Sequence, residues 1–140
     1  MAEYRYSLDN TQPMTIAIKT GGAVTSGKLV AISSGLAVEA SSAATAVLGI
    51  CTATVGSGKM TTVLLLNDKS VIRIPFVGVT KTALADADKF GTKFDIDSSQ
   101  KLNLDDTTGG FLQVVGYENV TTGAGFADVV VNSGAMWNKA

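Results

Sequence analysis

Residues 49–65, GICTATVGSGKMTTVLL, and residues 116–131, GYENVTTGAGFADVVV, carry the same glycine pattern at one fixed spacing. Three glycine pairs share the offset, since 116 − 49, 123 − 56 and 125 − 58 each give 67. Glycine reaches positive φ without steric cost, so Gly49, Gly56 and Gly58, matched by Gly116, Gly123 and Gly125, predict a repeated backbone turn. Each copy reads as a short strand, a Gly-x-Gly turn and a β-branched strand, which together make a β-hairpin. The side chains do not repeat: Cys51-Thr52-Ala53 corresponds to Glu118-Asn119-Val120. A repeat of shape without a repeat of chemistry points to a scaffold rather than an active site.

Working outward, Lys28 to Ile32 and Leu36 to Glu39 flank Ser33-Ser34-Gly35, a hairpin with glycine where a left-handed residue is wanted. Lys93 to Ile96 and Lys101 to Leu104 form a matching hairpin around Asp97-Ser98-Ser99-Gln100. The pseudo-repeats therefore run over residues 27–66 and 91–131. Between them lie Val71 to Val77, where Pro75 removes a ladder donor and predicts an edge strand or a strand end, and Thr82 to Phe90, the one plausible helix, stopped by Gly91. Met14 to Lys19 alternates as a strand, with Met14, Ile16 and Ile18 on one face. Residues 1–13 show no periodicity before Pro13 and are expected to form an extended N-terminal arm anchored by Tyr4 and Tyr6. Residues 14–131 then make one β domain, and 132–140 a C-terminal tail. Short strands at close spacing predict an all-β fold, a compact β-sandwich or β-barrel-like domain with two repeated hairpin units and one short helix.

Composition narrows the chemistry. The 140 residues form one domain with an apolar fraction of 46%, enough for a real core. A net charge of −1 and no basic stripe provide no field to steer nucleic acid, and none is expected as a partner. No apolar run approaches the roughly 20 residues of a membrane helix, and the first residues carry no signal-peptide core, so no membrane partner is expected either. The sequence has no histidine, which removes the commonest general base and transition-metal ligand. The single Cys51 sits in an apolar run and is expected to pack as a small hydrophobe.

Four local patterns invite chemistry, and each has a plainer reading. Val55 to Thr61 (VGSGKMT) resembles a phosphate loop, but Ala53 stands where its first glycine belongs and Met60 where its Ser or Thr belongs. Asp95 to Asp106 has the length of a calcium loop, with Asp95, Asp97, Ser99 and Asp106 at ligand spacing, but Gln100 takes the glycine position. Asp86 and Asp88 could pair as glycosidase acids, but two apart on a short Ala-rich helical turn they point to different sides, with no histidine and no aromatic sugar platform nearby. Asn119-Val120-Thr121 is a glycosylation sequon without a secretory signal. Hairpin turns and solvated faces account for them, so no catalytic, cofactor or metal residue is expected and the chain is read as non-enzymatic.

The runs GKLVAISSGLAVEASSAATAVLGICTATVGSGKMTTVLL, VGVTKTALADADKFGTKFDID, KLNL and FLQVVGYENVTTGAGFADVVV, with Gly27, Gly35, Gly49, Gly91, Gly116 and the Asp128 strand in place, resemble the capsid cement or head-decoration proteins of tailed bacteriophages. The resemblance covers roughly residues 15–131 and consists of glycine and β-branched positions. It implies a structural virion protein, made in the host cytoplasm, that sits on the outer capsid surface and stabilises the expanded shell. The implied partner is the major capsid protein of the same phage, engaged as a homotrimer. Contacts are expected at Tyr4, Arg5 and Tyr6 and at Trp137, because Trp, Tyr and Arg dominate interface hot spots. The alternative is a virion-displayed β-sandwich adhesion or glycan-binding module.

Overall fold

The computed structural model describes residues 1–42 and 47–131. Among the described residues there are eleven strands: β1 (Glu3–Ser7), β2 (Thr15–Lys19), β3 (Leu29–Ser33), β4 (Leu36–Glu39), β5 (Val47–Cys51), β6 (Met60–Leu65), β7 (Ser70–Val77), β8 (Lys93–Ile96), β9 (Leu102–Asn103), β10 (Leu112–Thr121) and β11 (Ala124–Val131). The all-β expectation holds. One sheet runs β2-β6-β5-β3-β4, and the other β1-β7-β11-β10-β8-β9, with β9 also pairing β7.

Setting β1 aside, the two sheets have the same strand order. The second closes into a barrel through a parallel contact, Phe76 opposite Leu102 and Val77 opposite Asn103. The first closes at the corresponding place through the parallel bridge between Thr20 and Ala37. The repeat thus begins one strand earlier than the hairpins at 27–66 and 91–131, because β2 and β7 are its first members. Their offset, 76 − 20 = 56 at the closing contacts, departs from 67, since the link into the next strand is Thr20–Lys28 in one half and Gly78–Thr92 in the other.

Three expectations are corrected. First, β7 is not an edge strand: β11 lies along one side, and β1 and β9 share the other. The carbonyl of Val77 accepts from the amide of Leu104, so alternate residues Val77, Pro75 and Arg73 face the β1/β9 side. The missing N–H of Pro75 falls in the gap between β1 and β9, where no ladder donor is needed. Second, the helix at 82–90 reduces to one 3₁₀ turn at Asp86–Asp88, and the left-handed residue is Phe90 (φ 61), not Gly91. Tertiary contacts override the helical propensity there. The buried Leu84 is bound through its backbone by Asn119, and the Phe90 amide donates to Val114 O at 2.8 Å. Third, residues 3–7 of the expected extended arm form strand β1, paired antiparallel with β7, so the sheet takes in residues before 14.

The repeated glycines also diverge. Positive φ occurs at Gly58 (76°) and Gly123 (77°), but these are not equivalent under the offset of 67. In the second copy Thr122 and Gly123 make a tight link between β10 and β11. In the first, the longer loop 52–59 reaches across the barrel end, with Val55 bridging Val24 and the Gly58 amide donating to Thr20 O at 3.1 Å. The hairpin repeats; the turn geometry does not.

Core packing explains why β3 and β5 read as unbroken apolar runs. Val30, Leu48 and Cys51 point into the first barrel with Val24, Ala37 and Val63. Leu29, Ala31, Val47 and Ile50 point the other way and join Phe76, Phe94 and Phe111 in the larger cluster of the second barrel. Both faces of these strands are buried, so no polar residue can alternate along them. At ~1.5–3 kcal/mol per buried large apolar side chain, this shared layer is the main bond between the barrels.

Candidate interaction surface

The expected contact residues lie on β1. Its register against β7 slips between Tyr4 and Tyr6, where a bulge adds one residue. The bulge disrupts the alternation, which is why no period was legible here. Tyr4 is half-buried against the main core, while Arg5 and Tyr6 are both exposed. Tyr6 (48% exposed), Leu8 (51%) and Met14 (68%) follow one another along β1 and the link to β2. Two shallow hollows border that link. Tyr4, Tyr6, Asn10 and Gln12 line one, and Pro13, Met14, Leu65 and Leu66 the other, with Thr11 and Gln12 common to both. The Leu8 amide donates to Lys69 O at 2.9 Å, and Asp9 accepts from the Thr11 amide at 3.1 Å. Trp137 lies outside the described residues.

Three polar side chains elsewhere bind the chain's own backbone. Gln100, buried with φ 61, holds the two barrels: its Oε1 accepts from the Leu29 amide at 2.7 Å, and its Nε2 donates to Leu29 O (2.9 Å) and Ala40 O (2.8 Å). Asn119 does the same for Leu84, accepting from its amide at 3.0 Å and donating to its carbonyl at 2.9 Å. Asp105 gathers three successive amides, Val79 (2.7 Å), Thr80 (3.1 Å) and Lys81 (2.7 Å). None of these roles was visible in the sequence. Gln100 stood only as a mismatch in a calcium loop and Asn119 only as part of a sequon.

The phosphate-like segment is a loop between two strands. The Thr20 hydroxyl lies 3.0 Å from both Gly56 O and Lys59 O, and the Thr61 hydroxyl donates to Ala53 O at 2.7 Å. Cys51 is buried inside the first barrel, as expected, with its sulfur 3.0 Å from Ala53 O. The acids of the 95–106 segment do not converge. Asp97 caps its own turn through the amides of Ser99 (3.0 Å) and Lys101 (2.8 Å), whereas the buried Asp95 accepts from the adjacent Ile96 amide (2.7 Å). Among the described residues, no group of three or more acids and thiols is placed to hold a metal, and no helix is long and apolar enough to cross a membrane.

On the outer face of the second barrel, Arg73 Nε bonds Asp128 Oδ1 at 3.0 Å, and Nη1 lies 3.6 Å from Glu118. Its guanidinium carbon is 5.9 Å from the Phe126 ring centroid. The hydrogen bond to Asp128 raises the Arg73 pKa, so the cation is fixed at every accessible pH.

Asp95 and Asp105 pull stability in opposite directions with pH. The amides of Lys81 and Val79 hold the Asp105 carboxyl below the usual range. Its contribution is therefore present above the unfolded carboxylate pKa and is lost as pH falls through the folded one. Burial pushes Asp95 up, with the nearby Asp106 charge adding to it, so its ionisation as pH rises costs stability. Denaturant midpoints measured from pH 7 to 2 should show Asp105→Asn lowering stability at neutral pH and flattening the acid limb. Asp95→Asn should raise the neutral midpoint.

No protein-family model matches the chain, and no curated protein matches it.

Proposed function

We propose that this chain is a non-enzymatic structural protein that binds the outer surface of an icosahedral phage shell and stabilises its expanded form. What carries the reading is the division of labour among its side chains. Gln100, Asn119, Asp105 and Thr20 are bound to backbone and fix the body, while Tyr6, Leu8 and Met14 stand exposed along β1 and the link to β2. A rigid body with a short apolar strip suits a clamp repeated over a symmetric lattice, where many modest contacts add by avidity. The major capsid protein is the partner in this reading, with the chain present as a trimer on the virion surface. The alternative, a displayed glycan-binding module, would place the binding surface among exposed aromatic side chains such as Tyr6.

Electron microscopy of expanded, decoration-free heads mixed with the purified protein tests this: ordered density at symmetric positions supports it, and bare shells overturn it. Removing residues 1–12 is a poor contact test, because it strips β1 from β7 and exposes core. Tyr6→Ala is better, since that side chain lies on the surface. Shell affinity should fall about tenfold, equivalent to ~1.4 kcal/mol, with an unchanged thermal midpoint. Unaltered occupancy would remove Tyr6 from the interface.

A further inference from the structure

The duplicated barrels also differ at their first strands: β7 carries an extra strand, β1, and β2 carries none among the described residues. Aligned at their closing contacts, Thr15 corresponds to Val71 and Ala17 to Arg73, since 71 − 15 and 73 − 17 both equal 56. In the second barrel β1 covers this stretch, with Glu3 opposite Arg73, Tyr4 opposite Ile72 and Tyr6 opposite Val71. In the first barrel nothing among the described residues pairs there.

The hydrogen-bond pattern shows which groups face the vacant side. Met14 O accepts from the Leu65 amide and the Thr20 amide donates to Lys59 O, so even-numbered residues of β2 face β6. The Gly21 amide donates to Ala37 O across the seam, so odd-numbered residues face outward. The amides and carbonyls of Thr15 and Ala17 therefore point to the open side, where no backbone partner meets them among the described residues. Burial shows the same vacancy. Ile72 and Ile74, beneath the β1 side of β7, are fully buried, whereas their counterparts Ile16 and Ile18 are only half-buried against the small core.

We propose that the open edge of β2 is a docking site for an extended segment of a partner protein, which adds to it antiparallel as β1 adds to β7. The way β1 fits defines the segment's chemistry. An aromatic residue lies over Ile16, as Tyr4 lies over Ile72. An acid stands opposite Ala17, as Glu3 stands opposite Arg73, and there it is diagonal to the exposed Lys19, within reach of a long side chain. The site repeats the pattern of the chain's own β1–β7 pairing, and the exposed Lys19 complements an acid on the added strand. It does not depend on the shell reading.

The probe is a capped peptide of residues 2–8, AEYRYSL, titrated into the full chain and followed by amide NMR. Shifts at Met14–Ile18, with hydrogen exchange slowed at Thr15 and Ala17, are expected. Ala17→Pro removes an amide that no backbone group pairs among the described residues, so the fold should persist while peptide affinity falls at least tenfold. Lys19→Glu, a surface change, should weaken binding several-fold, and a peptide with Glu3→Lys should restore it. Absent shifts, shifts confined to Ser70–Arg73, or shifts untouched by Ala17→Pro would overturn the proposal. Shell occupancy of Ala17→Pro, read separately, tells whether the same edge serves the particle.

Discussion

Gly49→Ala should unfold or nearly unfold the chain, while Gly56→Ala, seven residues on, should be silent. A Cβ at Gly49 would lie 1.9 Å from Leu64 O and 3.0 Å from Val63 Cγ1. The obstruction is backbone of the paired strand β6, which cannot rotate away, so β5 and β6 must separate. The cost is expected at or above the upper end of overpacking, about 3 kcal/mol or more. Gly56 has nothing within 4 Å and no left-handed φ, so alanine there should stay within about 0.5 kcal/mol. Gly123, its partner in the repeat, has φ 77 and Gly78 O only 2.4 Å from the Cβ position, so it should resist alanine strongly. Chemical denaturation of the three variants checks this. Equal effects at Gly56 and Gly123 would show that the two turns do share a geometry.

Gln100→Ala should cost about 3 kcal/mol, because it orphans the buried Leu29 amide and Ala40 carbonyl, each worth ~1–3 kcal/mol when left unpaired. Leu29 O keeps the Ala40 amide at 2.8 Å and is not orphaned. Gln100→Gly makes the same loss but relieves the left-handed backbone, so it should recover about 1 kcal/mol relative to alanine. Gln100→Glu preserves shape while turning an oxygen toward two carbonyls. It should be at least as damaging as alanine at pH 7 and milder in acid, where the carboxyl is neutral. Urea titrations at both pH values measure all three. A loss below about 0.5 kcal/mol for Gln100→Ala would mean that the apolar layer alone joins the barrels.

The legible part of this chain was whatever rests on local rules. The four hairpins announced themselves through glycine, Ser-Ser-Gly and Asp-Ser-Ser turns flanked by β-branched runs, and strand pairing followed. What stayed hidden depends on contacts far apart in sequence. Pro75 looked like an edge signal because nothing local reveals that β1 and β9 leave a gap opposite it. The Thr82–Phe90 stretch has helical composition, yet Asn119 draws Leu84 onto β10 instead. The bulge at Arg5 masked β1. Gln100 looked like any polar turn residue, since its partner lies 71 positions away. Of the residues expected to make contacts, Tyr6 and Arg5 are exposed on β1 and Tyr4 packs partly against the core.

The two-sided burial of β3 and β5 has a consequence during synthesis. Every strand of the first barrel has been translated once Leu65 emerges, before any part of β7–β11 exists. Leu29, Ala31, Val47 and Ile50 then face water until Phe76, Phe94 and Phe111 arrive to cover them. A nascent chain paused between the barrels carries a sticky apolar wall, the condition under which half-made β proteins aggregate or recruit chaperones. Translation speed across residues 66–111 thus bears on yield as directly as any single contact in the finished fold.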